Sequence, residues 1–422
     1  MVYETVVGRT KEDREKFGNN CAGYLGKHIV GVGEEAHLTT KVFIDLLRPH
    51  VILIAGKRGS GKSYVAGVIA EEIALLPEEF RKNLSVVMVD TMGIFWSLKK
   101  PNEEQKSLVK EWGLEPRGFE NVKVFVPFEQ LNEFKNAGIP VDEGISIAPY
   151  EFSPEEWSLA FNLKRTEPIS IALEKNINEI LEENEKFTID DLIAKIKSDE
   201  ETSKEVKNAL ESMLAVAKKW GVFGTEGISI ERIVIPGTIS VLDVSHLRAT
   251  EAWSVRNLIV AILAKKIYQA RVIARKEEEL ARLEGREIEK KFPMVWLIID
   301  EAHNFCGIEE SASLSPLLTI AKQGREPGIS LVVITQMPAK IHQDILSQCD
   351  LIISHRLTSK ADLQALHSIY QTYMAEEIEK IINKLPRWPG AAAIFDDILE
   401  KIFTVNIRPR LSWHAGATAA VL

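Results

Sequence analysis

One short stretch limits what this chain can fold into more than any other. Gly56-Lys57-Arg58-Gly59-Ser60-Gly61-Lys62-Ser63 matches G-x-x-x-x-G-K-[ST]. The apolar run Val51–Ala55 leads into it, and an apolar-periodic segment from Lys62 to about Leu76 leaves it, stopped near Pro77. A strand, a glycine turn and an amphipathic helix, in that order, let backbone N–H groups curl around a phosphate. The helix N-terminus adds its positive end. The expected nucleotide-contact set is Gly56, Lys57, Arg58, Gly59, Ser60, Gly61, Lys62 and Ser63, extended by Tyr64. Lys62 is placed to reach the β- and γ-phosphates of ATP, and the Ser63 hydroxyl to bind magnesium.

The rest of the chain reads as the remainder of an α/β fold, a RecA-like core with a mostly parallel sheet. Further strand patterns are Ser85–Asp90, Val122–Val126, Thr238–Asp243, Val295–Asp300, Ile329–Thr335, Leu351–Ser354, Ala391–Phe395 and Phe403–Ile407. Between the second and third of these lies an all-helical stretch. Ser153 with Glu156 and Thr188 with Asp191 look like helix caps there, and helices are expected over Ile171–Glu183, Thr188–Ile196 and Lys204–Trp220. The predicted organisation is a polar N-terminal segment over 1–48, core over 49–149, helical insertion over 150–236, core again over 237–385, and C-terminal strands and tail over 386–422. A long helix should run from about Thr250 toward Lys290, with Arg271–Lys291 as a solvated charged half.

Composition closes off other classes. The 422 residues are 45% hydrophobic and 27% charged, ordinary for a folded soluble chain, and no apolar run approaches a membrane span. Cys21, Cys306 and Cys349 form neither a metal-ligand spacing nor an even disulfide set, which fits a reducing cytoplasm. The net charge of −9 excludes a surface that is basic all over. It leaves room for a basic channel.

The second half of a nucleotide site is expected at Met294–Glu301, an apolar strand ending in two carboxylates. Asp300 would hold magnesium, and Glu301 would orient or deprotonate the attacking water. Gln336, after the strand Ile329–Thr335, could sense the γ-phosphate. Arg325, in the loop Ala321–Gly328, is a candidate transition-state cation for a neighbouring subunit, with Arg356 as a second candidate. His303 reads as a local packing or loop residue.

Together, Gly56–Ser63, Asp300–His303, Ala321–Gly328, Thr335-Gln336 and Leu346–Asp350 resemble the HerA–FtsK group of ring-forming nucleic-acid pumps, and the HerA branch most closely. The resemblance covers roughly residues 25–416. It implies a homo-oligomer, a hexamer, that uses ATP and magnesium to move double-stranded DNA, and whose archaeal members work with a nuclease at DNA ends. By position it assigns Lys62, Asp300, Glu301, Gln336 and Arg325 as phosphate lysine, magnesium acid, catalytic acid, sensor and finger. It also implies that the segment Arg408–Gly416 approaches a neighbour's nucleotide.

Two features depart from the pattern. The opening β-barrel that docks the nuclease is absent or shrunken, and Asp90-Thr91-Met92-Gly93-Ile94 keeps the family's Asp and Gly but lacks the acid that follows. Lys99, Lys100 and Lys340 are candidates to grip DNA phosphates. Two other readings of the same residues are a nucleotide-gated scaffold or defence ATPase acting with a protein partner, and a conjugation- or secretion-type pump.

Overall fold

The computed structural model describes residues 4–31, 35–247, 255–288, 291–367, 369, 378 and 380–416. Among these, thirteen strands form one sheet: β1 (Thr5–Val7), β2 (Ala22–Val30), β3 (His37–Asp45), β4 (Val51–Ala55), β5 (Leu84–Asp90), β6 (Val122–Pro127), β7 (Glu143–Ile145), β8 (Ile239–Asp243), β9 (Met294–Ile299), β10 (Ile329–Thr335), β11 (Leu351–Ser354), β12 (Ala391–Asp396) and β13 (Lys401–Ile407). Their order is β1-β3-β2-β13-β12-β11-β4-β10-β9-β5-β8-β6-β7. The block from β11 to β7 is parallel throughout. Its central strands are buried on both faces, so they read as apolar runs rather than alternations. Within β4, Val51, Leu53 and Ala55 join one apolar cluster and Ile52 and Ile54 the other, one on each side of the sheet.

The segment before residue 49 departs from its polar reading. Its strands β2 and β3 form an antiparallel pair that joins β13, so the two ends of the chain extend the parallel block together. Leu25, Ile29, Val42 and Ile44 carry the burial.

The stretch between β7 and β8 is helical, with helices at Pro154–Ala160, Pro168–Glu183, Ile189–Ser198 and Lys204–Lys218. Ser153 and Glu156 form a reciprocal capping box, as do Thr188 and Asp191. The second helix starts earlier than expected because Pro168 serves as its first residue, where a missing N–H costs nothing.

The long helix spans Val255–Glu284 among the described residues and ends at Gly285, whose φ of +67° supplies the left-handed stop. The expected start at Thr250 and end at Lys290 lie outside the described residues. Its charged half is not solvated throughout. Arg271 is buried and donates to the carbonyls of Pro327 (2.6 Å) and Phe292 (2.6 Å).

The helix after the glycine turn, Lys62–Leu75, is not amphipathic. Most of it is buried, including Glu71. The cover comes from the C-terminal segment. Arg408 donates to Glu71 (2.8 Å) and Glu72 (2.6 Å), and Ser412 donates to Glu71 through its N–H (2.9 Å) and its hydroxyl (2.6 Å). A Cβ on Gly67 would stand 2.8 Å from the Arg410 guanidinium, so a larger residue there would have to push that guanidinium aside. The expectation that this segment reaches a neighbour's nucleotide is therefore corrected for Arg408 and Arg410. Both are fully buried against their own helix, where two adjacent carboxylates neutralise them.

Candidate nucleotide site

Because β4, β10 and β9 are adjacent and parallel, their C-terminal ends open on one edge of the sheet. That edge holds the glycine turn after β4, Gln336 after β10, and Asp300 and Glu301 after β9. Residues far apart in sequence meet there, as the general rule for ligand sites in open α/β sheets requires.

The turn is built for backbone donation. Gly59 and Gly61 hold φ of +75° and +105°, a region that side-chain-bearing residues rarely enter. The first N–H groups of the helix at Lys62, Ser63 and Tyr64 have no acceptor within the helix, and the helix begins at the glycine turn. Lys57, Arg58 and Gly59 are exposed at its lip. Lys62 is buried and donates to the carbonyl of Lys57 (3.1 Å), which keeps its ammonium over the cradle. Burial lowers its pKa, against the raising effect of the nearby Glu301 and Asp300. Tyr64 turns away from the cradle and its hydroxyl accepts the N–H of Arg410 (2.6 Å), so its expected contact with nucleotide is not made by the phenol in this arrangement.

The two carboxylates are poised and unsatisfied. The Ser63 hydroxyl stands 3.4 Å from Asp300 Oδ1, while Asp300 Oδ2, Glu301 Oε2 and Ser60 Oγ are buried without hydrogen-bond partners. Burial, reinforced by the charge of Glu301, pushes the Asp300 carboxyl up to about 6. Burial also raises Glu301, against the pull of Lys62 and Arg58. Glu301 takes a left-handed φ of +46°, a strained state of the kind that persists at functional sites. Among the described residues no group of three or more acids, histidines or cysteines could hold a metal alone. One carboxylate and one hydroxyl suit magnesium, a hard cation that takes the rest of its shell from phosphate and water.

Two histidines complete the edge; sequence reasoning took His303 for a local packing or loop residue and missed His355. The ring Nδ1 of His303 lies 3.1 Å from Thr335 Oγ1 and 3.4 Å from Glu301 Oε2. It therefore joins the catalytic-acid position to the end of β10, one residue from Gln336, rather than merely packing. His355, after β11, donates through Nδ1 to the carbonyl of Ala391 (2.9 Å), and its buried Nε2 has no partner. It packs under the turn, 2.8 Å from where a Cβ on Gly56 would stand. Burial drives its pKa down to about 4, so it is a neutral acceptor there. The only signal in the sequence was a polar residue directly after a strand.

The acid missing after Gly93 leaves a structural turn. Asp90 accepts the N–H groups of Met92, Gly93, Ile94 and Phe95, and burial together with Asp243 raises its pKa. Lys99 is paired with Asp142 at 2.6 Å, whereas Lys100 and Lys340 are exposed.

The structure does not bring Arg325 to this site. It precedes β10 and so lies on the opposite edge of the sheet. The seven residues of β10 span roughly 23 Å at about 3.3 Å each. Arg356, by contrast, follows β11 on the same edge as the glycine turn, beside His355.

Residues 24–265 match the family described as helicase HerA, central domain. A probable DNA double-strand break repair helicase HerA of Methanocaldococcus jannaschii is 26% identical over 361 residues, covering 77% of this chain and 67% of that protein. The DNA double-strand break repair helicase HerA of Pyrococcus furiosus is 31% identical over 144 residues, 30% of this chain and 25% of that protein. The solved structure of VirB4 of Thermoanaerobacter pseudethanolicus shares the fold, with a TM-score of 0.55 at 14% identity over 92% of this chain and 97% of that one. The family match spans more than half of the sequence and includes the glycine turn. This chain belongs to the HerA family of P-loop ATPases.

Proposed function

We propose that this ATPase is one subunit of a homohexameric ring that moves double-stranded DNA in repair or end processing. In this reading each ATP lies between two subunits. Lys62 and the backbone of Gly56–Ser63 hold the phosphates. Ser63 and Asp300 hold magnesium, which when bound neutralises charge developing on the phosphate oxygens. Glu301 orients the attacking water and accepts its proton, Gln336 reads the presence of the γ-phosphate, and His303 couples the two through Thr335.

The observation that carries the shared site is the position of Arg325. Its side chain is 51% exposed on the sheet edge opposite its own phosphate turn. A cation so placed is out of reach of its own nucleotide and free to serve that of another copy, and a head-to-tail contact of that kind gives a ring when its rotation closes. That the two HerA relatives are described as DNA double-strand break repair helicases supports DNA as the track. Lys100 and Lys340, both exposed, are the groups proposed to touch its phosphates.

The test mixes subunits. Lys62→Ala chains should be inactive alone, and Arg325→Ala chains strongly impaired with only slow single-turnover hydrolysis left. Mixed one to one, about a quarter of interfaces regain an intact cradle and an intact cation, and hydrolysis should recover accordingly. No recovery would overturn the shared site. Duplex DNA should also raise the ATPase rate, less so as salt increases. A rate indifferent to DNA across a range of salt would remove DNA from the reading.

A further inference from the structure

The edge of the sheet opposite the phosphate turn carries a line of buried charge that ends on Arg325. Arg9, before the helix Lys11–Phe17, donates through Nε to Asp45 Oδ1 at 2.7 Å. Asp45 Oδ2 lies 3.2 Å from His50 Nε2, and His50 Nδ1 lies 2.7 Å from Asp350 Oδ2. Each ring nitrogen of His50 faces a carboxylate, which accepts and does not donate, so both nitrogens carry protons. Burial alone would lower the pKa of His50, but the hydrogen bonds to Asp350 and Asp45 outweigh it and carry it up to about 9. Asp350 Oδ1 accepts the N–H of Val51 at 2.9 Å, and its Oδ2 also meets Arg325 Nη2 at 2.7 Å. All five side chains except that of Arg325 are buried.

We propose that Asp350, gripped by His50 and by the first N–H of β4, is a positioning residue that fixes the Arg325 guanidinium for delivery to the neighbouring subunit. The proposal rests on the reading of Arg325 as a cation acting across the interface. The backbone beneath Arg325 is fixed independently. Gly328 N–H donates to the Arg325 carbonyl (3.2 Å) and Ile329 N–H to the Gly324 carbonyl (2.7 Å), while buried Arg271 holds the Pro327 carbonyl. Asp350 engages the tip through one nitrogen, Nη2, and the Arg325 side chain stays half exposed.

Asp350 is itself rigid because both its oxygens are tied to the start of the strand that leads into the phosphate turn. The same strand therefore carries one subunit's cradle at one end and, at the other, the support for the cation offered to its neighbour. A side chain pre-set in this way loses less freedom when it meets a phosphate.

The experiment measures kcat and KM for ATP in the assembled full-length protein, for Arg325→Ala, Asp350→Asn and the double variant, with thermal melts to establish folding. The substituted amide would keep the Val51 contact but lose the charge that draws both His50 and Arg325. We expect Asp350→Asn to lower kcat about ten-fold with KM little changed. We expect it to have no further effect in the Arg325→Ala background, measured by single-turnover hydrolysis.

An equal loss in both backgrounds would make Asp350 merely structural and overturn the proposal, as would a faster Asp350→Asn enzyme or an unchanged one. An unimpaired Arg325→Ala enzyme would instead sink the interface reading itself. If Asp350→Asn does not assemble, His50→Gln leaves the carboxylate in place but loosens it, and must show the same dependence on Arg325.

Discussion

The two edges of the central sheet treat buried polar groups in opposite ways. On the phosphate edge, Ser60 Oγ, Asp300 Oδ2, Glu301 Oε2 and His355 Nε2 are all buried without hydrogen-bond partners, with His303 Nδ1 standing 3.4 Å from Glu301 Oε2. On the other edge, Arg9, Asp45, His50, Asp350 and Arg325 form a line in which each charge meets its opposite. An unpartnered buried polar atom costs about 1–3 kcal/mol, so a cluster of them persists only where something outside the polypeptide completes it. A line of matched charges needs no such completion and serves to hold backbone and side chains in register. The same fold thus keeps one edge open for a ligand and the other closed and pre-set.

The largest effect separating the edges should come from the open one. Glu301→Gln retains the size of the side chain and removes its capacity to accept a proton. It should bind ATP with affinity near that of the unaltered protein, and hydrolyse it roughly 10²–10⁴ times more slowly. Equilibrium binding and single-turnover hydrolysis read the two properties separately. Near-normal turnover would show that Glu301 is a bystander and that the strain at its φ of +46° has another origin.

The closed edge should reveal itself through pH. His50 has a folded-state value of about 9 against an ordinary 6.5. A raised value means that folding favours the proton. The stabilisation is therefore fully present below about pH 6.5 and is lost as pH rises through about 9, and the shift corresponds to about 3 kcal/mol. Denaturant unfolding between pH 6 and 10 should show this fall, and His50→Gln should flatten it. A wild-type profile with no fall over that window would mean that the imidazole is neutral and the line of charge is broken at its centre.

The open edge was far more legible in the sequence than the closed one. Gly56–Ser63 and Asp300-Glu301 are contiguous, and each follows an apolar strand, so local pattern alone placed them. The closed edge is assembled from Arg9, Asp45, His50, Arg325 and Asp350, scattered along the chain, and, Arg325 apart, each alone resembles a solvated charge. Strands β2 and β3 escaped notice for a different reason. Their pairing shifts register between Tyr24 and Gly26 and between Lys27 and Ile29, which breaks the alternation that marks a half-buried strand. The segment holding Arg408 and Arg410 reads as reaching a neighbour's nucleotide because their partners, Glu71 and Glu72, lie on a helix whose burial depends on those same arginines. Neither half of such an arrangement can be inferred without the other.

The smallest effect sharpens the comparison most, because it has the opposite sign on the two edges. Asp300 is 1% exposed, and one of its oxygens has no partner. Without nucleotide it is a desolvated carboxylate beside a second acid, Glu301, and its position is set by function rather than stability. Asp300→Asn removes the charge while preserving the shape. It should therefore raise the stability of the nucleotide-free protein, by on the order of 1 kcal/mol, while destroying hydrolysis. The same change at Asp45 leaves buried Arg9 without its counter-charge and His50 with Asp350 alone, and should destabilise the protein. Denaturant midpoints of the two variants, compared without nucleotide, test the contrast directly. If both substitutions destabilise, the phosphate edge is as internally satisfied as its opposite, and its buried acids are structural rather than held ready for a ligand.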